Sequence, residues 1–195
     1  MIYVCNLHEM PKHVEVVRPS HLVSLVTSVE QPPTPDGILV ERHLRIEVDD
    51  IIEPMPGAIL PERHHVESLI EFLTIWQHDD APLLIHCVAG ISRSMASALI
   101  ALVLKAGGRE SEAARLVRTA APHAHPNHRI IALADEILGL EGRLIGARDA
   151  MGPATALMHG PLVRLPLLDE ARPDVGGDRP TPDHDRRGAW RSGSA

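Results

Sequence analysis

Residues 82–104 read PLLIHCVAGISRSMASALIALVL. An apolar run of strand type ends at Cys87, five uncharged residues follow, and from Arg93 onward the pattern is helical. A strand that turns so tightly into a helix is a building unit of an α/β sheet, and the rest of the chain agrees. Short β-like runs occur at 2–7 (IYVCNL), 22–28 (LVSLVTS) and 43–48 (HLRIEV), with 82–87 as the fourth. Between 61 and 78 the residues Val66, Leu69, Ile70, Leu73 and Trp76 share one helical face. After Arg93 the spacing predicts helices over about 94–106, 109–121 and 126–140, with Ile130, Ile131, Ala134, Ile137 and Leu138 as the buried stripe of the last. Asn127, just ahead of that stripe, reads as its N-cap. The predicted fold is therefore α/β: a central, mostly parallel sheet of four to five strands flanked by helices, with a helical C-terminal half.

The loop between Cys87 and Arg93 carries the chemistry. Val88, Ala89, Gly90, Ile91 and Ser92 lie at a helix N-terminus, where successive backbone N–H groups can converge on an anion and the helix dipole adds positive potential. Gly90 permits positive φ or a close backbone approach. The same field favours the thiolate form of Cys87. Arg93, in the first helical turn, offers a planar fork that can take two oxygens of a tetrahedral phosphate and hold them as charge redistributes. Ser94 can donate to the sulfur and improve it as a leaving group. His86 is expected to be a buried, hydrogen-bonded histidine that orients the loop, since an ionised thiol needs no base.

His86-Cys87-VAGIS-Arg93-Ser94 resembles the signature of the cysteine-dependent protein tyrosine phosphatases, and its compact form is similar to the dual-specificity branch and its bacterial relatives. The resemblance covers roughly residues 1–140. It implies a sheet with helices on both sides and a two-step hydrolysis of phosphate monoesters through a phosphocysteine, with phosphotyrosine in proteins as the chief substrate and dual specificity as an extension. No metal or other cofactor is implied.

Such a mechanism needs one group to protonate the leaving oxygen and then to activate water. Candidates stand at LRIEVDDIIEP, residues 44–54. Ligand crevices in α/β sheets lie beyond the carboxyl ends of strands, which suits both Asp49 and Asp50. Strand parity continues Leu44, Ile46 and Val48 into Asp50, while Asp49 follows Arg45 and Glu47. The family resemblance adds that the acid commonly precedes a hydrophobic residue, as Asp50 precedes Ile51. Asp50 is the choice; Asp49 and then Glu53 are the alternatives. Pro54, Pro56 and Gly57 make the next segment a lid edge.

Two other functions fit parts of this pattern. Rhodanese-like sulfurtransferases also place a cysteine in a helix-capping loop, although resemblance to them would imply a shorter one. A non-catalytic module could bind phosphoproteins through the same bowl. Substrate class follows from what the loop lacks: VAGIS carries no basic residue, which disfavours polyphosphorylated substrates, and the single Tyr3 and Phe72 supply no aromatic wall. A shallow pocket is expected, open to phosphoproteins or small phosphomonoesters.

Charge narrows the partners. Residues 1–145 carry 12 basic and 19 acidic side chains, against seven of each in 146–195. The acidic field repels nucleic acid. No apolar run approaches the roughly 20 residues of a membrane span, and the N-terminus lacks a signal peptide's basic flank, so no membrane partner and a cytoplasmic location are expected. Seventeen arginines against two lysines suggest a GC-rich bacterial genome. Two cysteines are poor material for a disulfide framework, and Cys5 reads as a small core residue rather than a resolving thiol for Cys87. His64-His65 and HAHPNH (123–128) read as solvated histidines, with no metal site. Residues 1–145 form the expected phosphatase domain. Residues 146–195, rich in Pro, Gly, Asp and Arg, read as a disordered tail in which GPLVRLPLL (160–168) is a sticky, idle segment, with docking on the domain or a partner as the alternative. Composition does not decide oligomeric state.

Overall fold

The computed structural model describes residues 1–79 and 81–168. The chain alternates β1 (Ile2–Asn6), α1 (Met10–Val17), β2 (His21–Val26), β3 (His43–Glu47), α2 (Arg63–Trp76), β4 (Leu83–Cys87), α3 (Arg93–Lys105), α4 (Glu110–Ala120), α5 (His128–Ile137), α6 (Arg143–Asp149) and β5 (Val163–Leu165). The sheet runs β3-β2-β4-β1-β5. Its first four strands are parallel and β5 is antiparallel to β1. Thus β4, which ends in Cys87, lies at the centre, between β1 and β2.

Both faces of the sheet are covered, which is why β4 is buried at every position. Ile2, Val4, Val23, Leu25, Leu83, Ile85 and Cys87 face the large core under α2 to α6. Cys5, Leu22 and Leu84 face the smaller core under Met10 and Val14 of α1. The alternation along each strand sends Cys87 to one face and Cys5 to the other. Within the large core α3 is buried from Arg93 through Val103, as a helix apolar all round must be. Asp135 of α5, itself buried, accepts from the amides of Gly142 (2.7 Å) and Leu144 (2.8 Å) and so caps α6. No helix among the described residues is long and apolar enough to cross a membrane.

The four predicted strands and four predicted helices are present, with ends shifted by at most three residues. Three elements were not foreseen. α1 begins with Pro11 in its first turn, a position that proline suits, but eight residues give a weak period. The expected boundary after residue 145 falls inside α6, because Leu144 and Ala147 are buried across it. The segment read as idle is not idle: Val163 and Leu165 point inward, Arg164 points out, and β5 closes the sheet against β1. A three-residue alternation is too short to announce a strand. The helical C-terminal half therefore ends in an added edge strand, and the rest of the expected tail, from 169 on, lies outside the described residues.

Candidate active site

The turn from β4 into α3 places Cys87 at the floor of a bowl. Its Sγ accepts from the backbone N–H of Gly90 at 3.2 Å and lies 3.1 Å from Ser94 Oγ. Carbonyl oxygens around the loop are claimed from outside. Val88 O accepts from Leu7 N (3.2 Å), Ala89 O from Gly160 N (2.8 Å), and Ile91 O from His125 N (3.0 Å). Ser92 O accepts from Ala96 N (2.9 Å) and Asn127 N (3.3 Å). With the acceptors turned outward, the loop amides are left to face the bowl, the arrangement that binds an anion. Gly90 has φ +72°, and a Cβ built on it would meet the backbone of Cys5 (C at 2.7 Å, O at 2.8 Å) and Asn6 N at 2.9 Å. Only glycine lets the loop lie against β1.

Arg93 is buried at the rim. Its Nη1 donates to Val48 O at 2.6 Å, which fixes the guanidinium at the end of β3. Its Nε, also buried, has no hydrogen-bond partner among the described residues. A buried guanidinium N–H is expensive to leave unpaired, and an anion in the bowl would satisfy it.

The two aspartates are separated by the structure. Asp49 Oδ2 accepts from Ile59 N (2.7 Å) and Asp49 N donates to Ile59 O (2.8 Å), so its carboxylate holds the loop 49–59 together. Asp50 reaches the signature loop: one oxygen, Oδ1, accepts from Ser92 Oγ at 2.6 Å and from Asn127 Nδ2 at 2.9 Å. Both donors sit on Oδ1 and leave Oδ2 to the cleft. Asn127 does double duty, since its Oδ1 also caps α5 by accepting from Ile130 N at 3.1 Å. The N-cap was legible in the sequence; the hold on Asp50 was not, because it bridges 77 residues of sequence separation. Glu53 lies farther along the rim.

His86 is fully buried and its Nε2 lies 2.6 Å from Ser24 Oγ. The same hydroxyl lies 2.8 Å from His43 Nε2, and His43 Nδ1 lies 3.0 Å from Thr34 Oγ1, which accepts from Arg45 Nη2 at 2.9 Å. A polar chain thus crosses the sheet from β4 through β2 to β3. One hydroxyl proton can serve only one ring, so Ser24 donates to one imidazole and accepts from the other. Burial, then the neighbouring His43 and Arg93, push His86 down to about 3 against an opposing pull from the Cys87 backbone. Burial, then Arg45, push His43 down to about 4. Both rings are neutral at pH 7, which excludes an imidazolium beside the thiol. Ser24 and His43 gave no sequence signal: Ser24 is one hydroxyl within a buried strand, and His43 is one of three polar residues of β3 and stands at its first position.

Cys5 is buried on the opposite face, and burial, with Cys87 and Glu9 adding to it, pushes its thiol up to about 12. Its thiol packs in the smaller core, on the other side of the sheet from Cys87. Among the described residues no cluster of His, Cys, Asp or Glu could hold a metal ion. His125 and His128 are exposed at the mouth of the site, but His123 is buried against Gly160, contrary to the solvated reading. A cleft of about 860 Å³ opens above the bowl, between the loop that starts at Asp50, the start of α5, Arg148 and the segment carrying Leu157 and Met158.

No family model matches the chain. It is 30% identical over 176 residues to mouse dual specificity protein phosphatase 8, covering 77% of this chain and 25% of that protein. It is 28% identical over 149 residues to human dual specificity protein phosphatase 16, covering 75% and 21%. The chain thus spans about a quarter or less of the length of the curated relatives it matches. The crystal structure of DUSP15 superimposes with a TM-score of 0.56 at 21% identity, over 77% of this chain and 89% of that one.

Proposed function

Since the chain belongs to the cysteine-dependent protein tyrosine phosphatase superfamily, as a dual-specificity-like member, we propose that it hydrolyses phosphate monoesters on proteins, chiefly phosphotyrosine, with phosphoserine and phosphothreonine as further substrates. One observation carries the reading: the Cys87 sulfur receives an N–H and faces a hydroxyl at the floor of an amide-lined bowl, with Arg93 and Asp50 at its rim.

In the first step the Cys87 thiolate attacks phosphorus in line with the leaving oxygen. The S–P bond forms, the P–O bond breaks, and the leaving oxygen takes the proton of Asp50. Arg93 and the amides of Val88 to Arg93 hold the equatorial oxygens as charge develops. In the second step Asp50, now a carboxylate, takes a proton from water as the water oxygen attacks phosphorus. The P–S bond breaks, Ser94 donates to the departing sulfur, and inorganic phosphate leaves. His86 acts through the loop backbone rather than on the substrate, held by Ser24. The protein works in the cytoplasm of a bacterium, a reducing setting in which two unpaired cysteines are stable.

Comparing kcat/KM over phosphotyrosine, phosphothreonine and phosphoinositide substrates tests this directly. Phosphotyrosyl peptides should lead and phosphoinositides should trail, because the bowl's VAGIS segment carries no cation to match extra phosphates. Preference for a phosphoinositide would overturn the protein-substrate reading. Release of thiocyanate from thiosulfate and cyanide would favour sulfur transfer instead.

A further inference from the structure

The segment 151–162 follows a path that the phosphatase chemistry does not by itself require. It leaves α6 and is pinned behind the α4–α5 turn, where Thr155 N donates to Pro122 O at 2.9 Å and Arg118 Nε donates to Met151 O at 3.0 Å. It is pinned again at Gly160, whose N–H donates to Ala89 O at 2.8 Å and whose carbonyl accepts from Asn6 Nδ2 at 3.0 Å. There is no room for a side chain there: a Cβ on Gly160 would lie 2.7 Å from His123 Nε2 and 3.0 Å from Gly90 O. β5 then fixes the far end by pairing Val4 with Val163 and Ile2 with Leu165.

Between these anchors stand Leu157 and Met158, 49% and 85% exposed, and both line the cleft over the bowl. Across the cleft Ile52 and Met55, also exposed, come from the loop that carries Asp50. Single exposed apolar side chains need no explanation, but four that rim one cleft above a polar floor form a patch with a use. Two of the four are methionines, whose unbranched, polarisable side chains adapt to flat apolar partners and favour contact with aromatic rings.

We infer that the strap 157–160 is part of the substrate site, and that Leu157 and Met158 are specificity-determining residues forming the wall against which an aryl leaving group rests. This rests on the phosphatase reading above. A phosphate seated on the bowl leaves a phosphoseryl methylene at the floor, below the wall. A phosphotyrosyl ring extends up between Met158 and Met55. The wall therefore replaces, with aliphatic and thioether groups, the aromatic wall that the composition cannot supply. It adds affinity for the ring only, by burying apolar surface that a short alkyl chain does not reach.

The test uses the full chain, native and with Leu157→Ala and Met158→Ala combined, on two peptides identical except for phosphotyrosine or phosphothreonine. Both substituted residues are exposed, so the fold is retained. The ratio of kcat/KM, phosphotyrosine over phosphothreonine, should fall about three- to tenfold in the variant, through a raised KM for the phosphotyrosyl peptide. An unchanged ratio in a protein that turns over both peptides, or a parallel fall on both, overturns the wall and leaves the phosphatase reading standing. Absence of turnover by the native chain on both peptides overturns the phosphatase reading and the wall with it.

Discussion

Asp50→Asn isolates proton transfer from geometry. Asparagine keeps a side-chain oxygen where Asp50 Oδ1 accepts from Ser92 Oγ (2.6 Å) and Asn127 Nδ2 (2.9 Å), so the loop 50–56 stays moored to the bowl. What the variant loses is the acid at Oδ2. General acid catalysis by a positioned side chain contributes about 10²–10⁴ in rate, or about 3–5 kcal/mol at 1.36 kcal/mol per decade. The full loss is expected on phosphothreonine, whose alkoxide is a poor leaving group. A smaller loss is expected on p-nitrophenyl phosphate, whose phenolate departs readily without a proton. The pH profile of kcat adds a signature that misfolding could not imitate: the alkaline limb, which reports deprotonation of the acid, disappears in Asp50→Asn, while the acid limb remains. Asp49→Ala is the control. It removes one loop hydrogen bond to Ile59 N, worth about 0.5–1.5 kcal/mol of stability, and should keep both limbs. If Asp49→Asn flattens the alkaline limb and Asp50→Asn leaves it, the assignment of the acid is refuted.

Arg93→Lys should lower kcat about 10²–10³-fold, the cost of one oxyanion-type donor, because an ammonium has one nitrogen and lacks the planar fork that keeps Nη1 on Val48 O while other N–H groups pair with phosphate oxygens; steady-state kinetics would show it, and a near-native kcat would contradict the fork. Gly90→Ala should destabilise the fold by about 1–2 kcal/mol for the left-handed backbone alone, and more for the 2.7 Å contact with Cys5 C, read as a lowered urea midpoint together with lost activity. Ser24→Ala strands two buried imidazoles and should cost about 1–3 kcal/mol, again read from urea unfolding. Acid stability follows from the same pair. His86 and His43 titrate at about 3 and about 4 in the fold, below the ordinary value of 6.5 that the unfolded chain keeps. Above pH 6.5 both states are neutral there. As pH falls from 6.5 toward 3 the unfolded chain binds protons that the fold refuses, so stability drops across that window. Flat urea midpoints between pH 6.5 and 4 would contradict the neutral pair.

What the sequence could reveal divides along the range of the interactions. Local period and turn chemistry marked β4, the five-residue loop, α3 and the Asn127 cap, because each is decided by neighbours within a few positions. Parity along the 43–48 run, together with the family resemblance at Asp50-Ile51, favoured Asp50 over Asp49, and Asp50 is the one whose carboxylate meets Ser92 of the loop. The contacts that finish the site are long-range and single. Asn127 reaches Asp50 across 77 positions, Ser24 reaches His86 across 62, and Gly160 N meets Ala89 O across 71. None of these leaves a periodic trace. Composition also misled at 146–168: Pro and Gly there are the marks of an unordered tail, yet Gly160 is required by a close approach, and Val163 and Leu165 by a strand too short to show alternation.

The central claim is that Cys87 takes the phosphoryl group from the substrate. It is tested most directly by acid-quenching the full chain during turnover of a ³²P-labelled phosphotyrosyl peptide, digesting it and locating the label. The expected result is label on the peptide that contains Cys87, and neither label nor phosphate release in Cys87→Ser. Label on another residue, or continued release by Cys87→Ser, would contradict it.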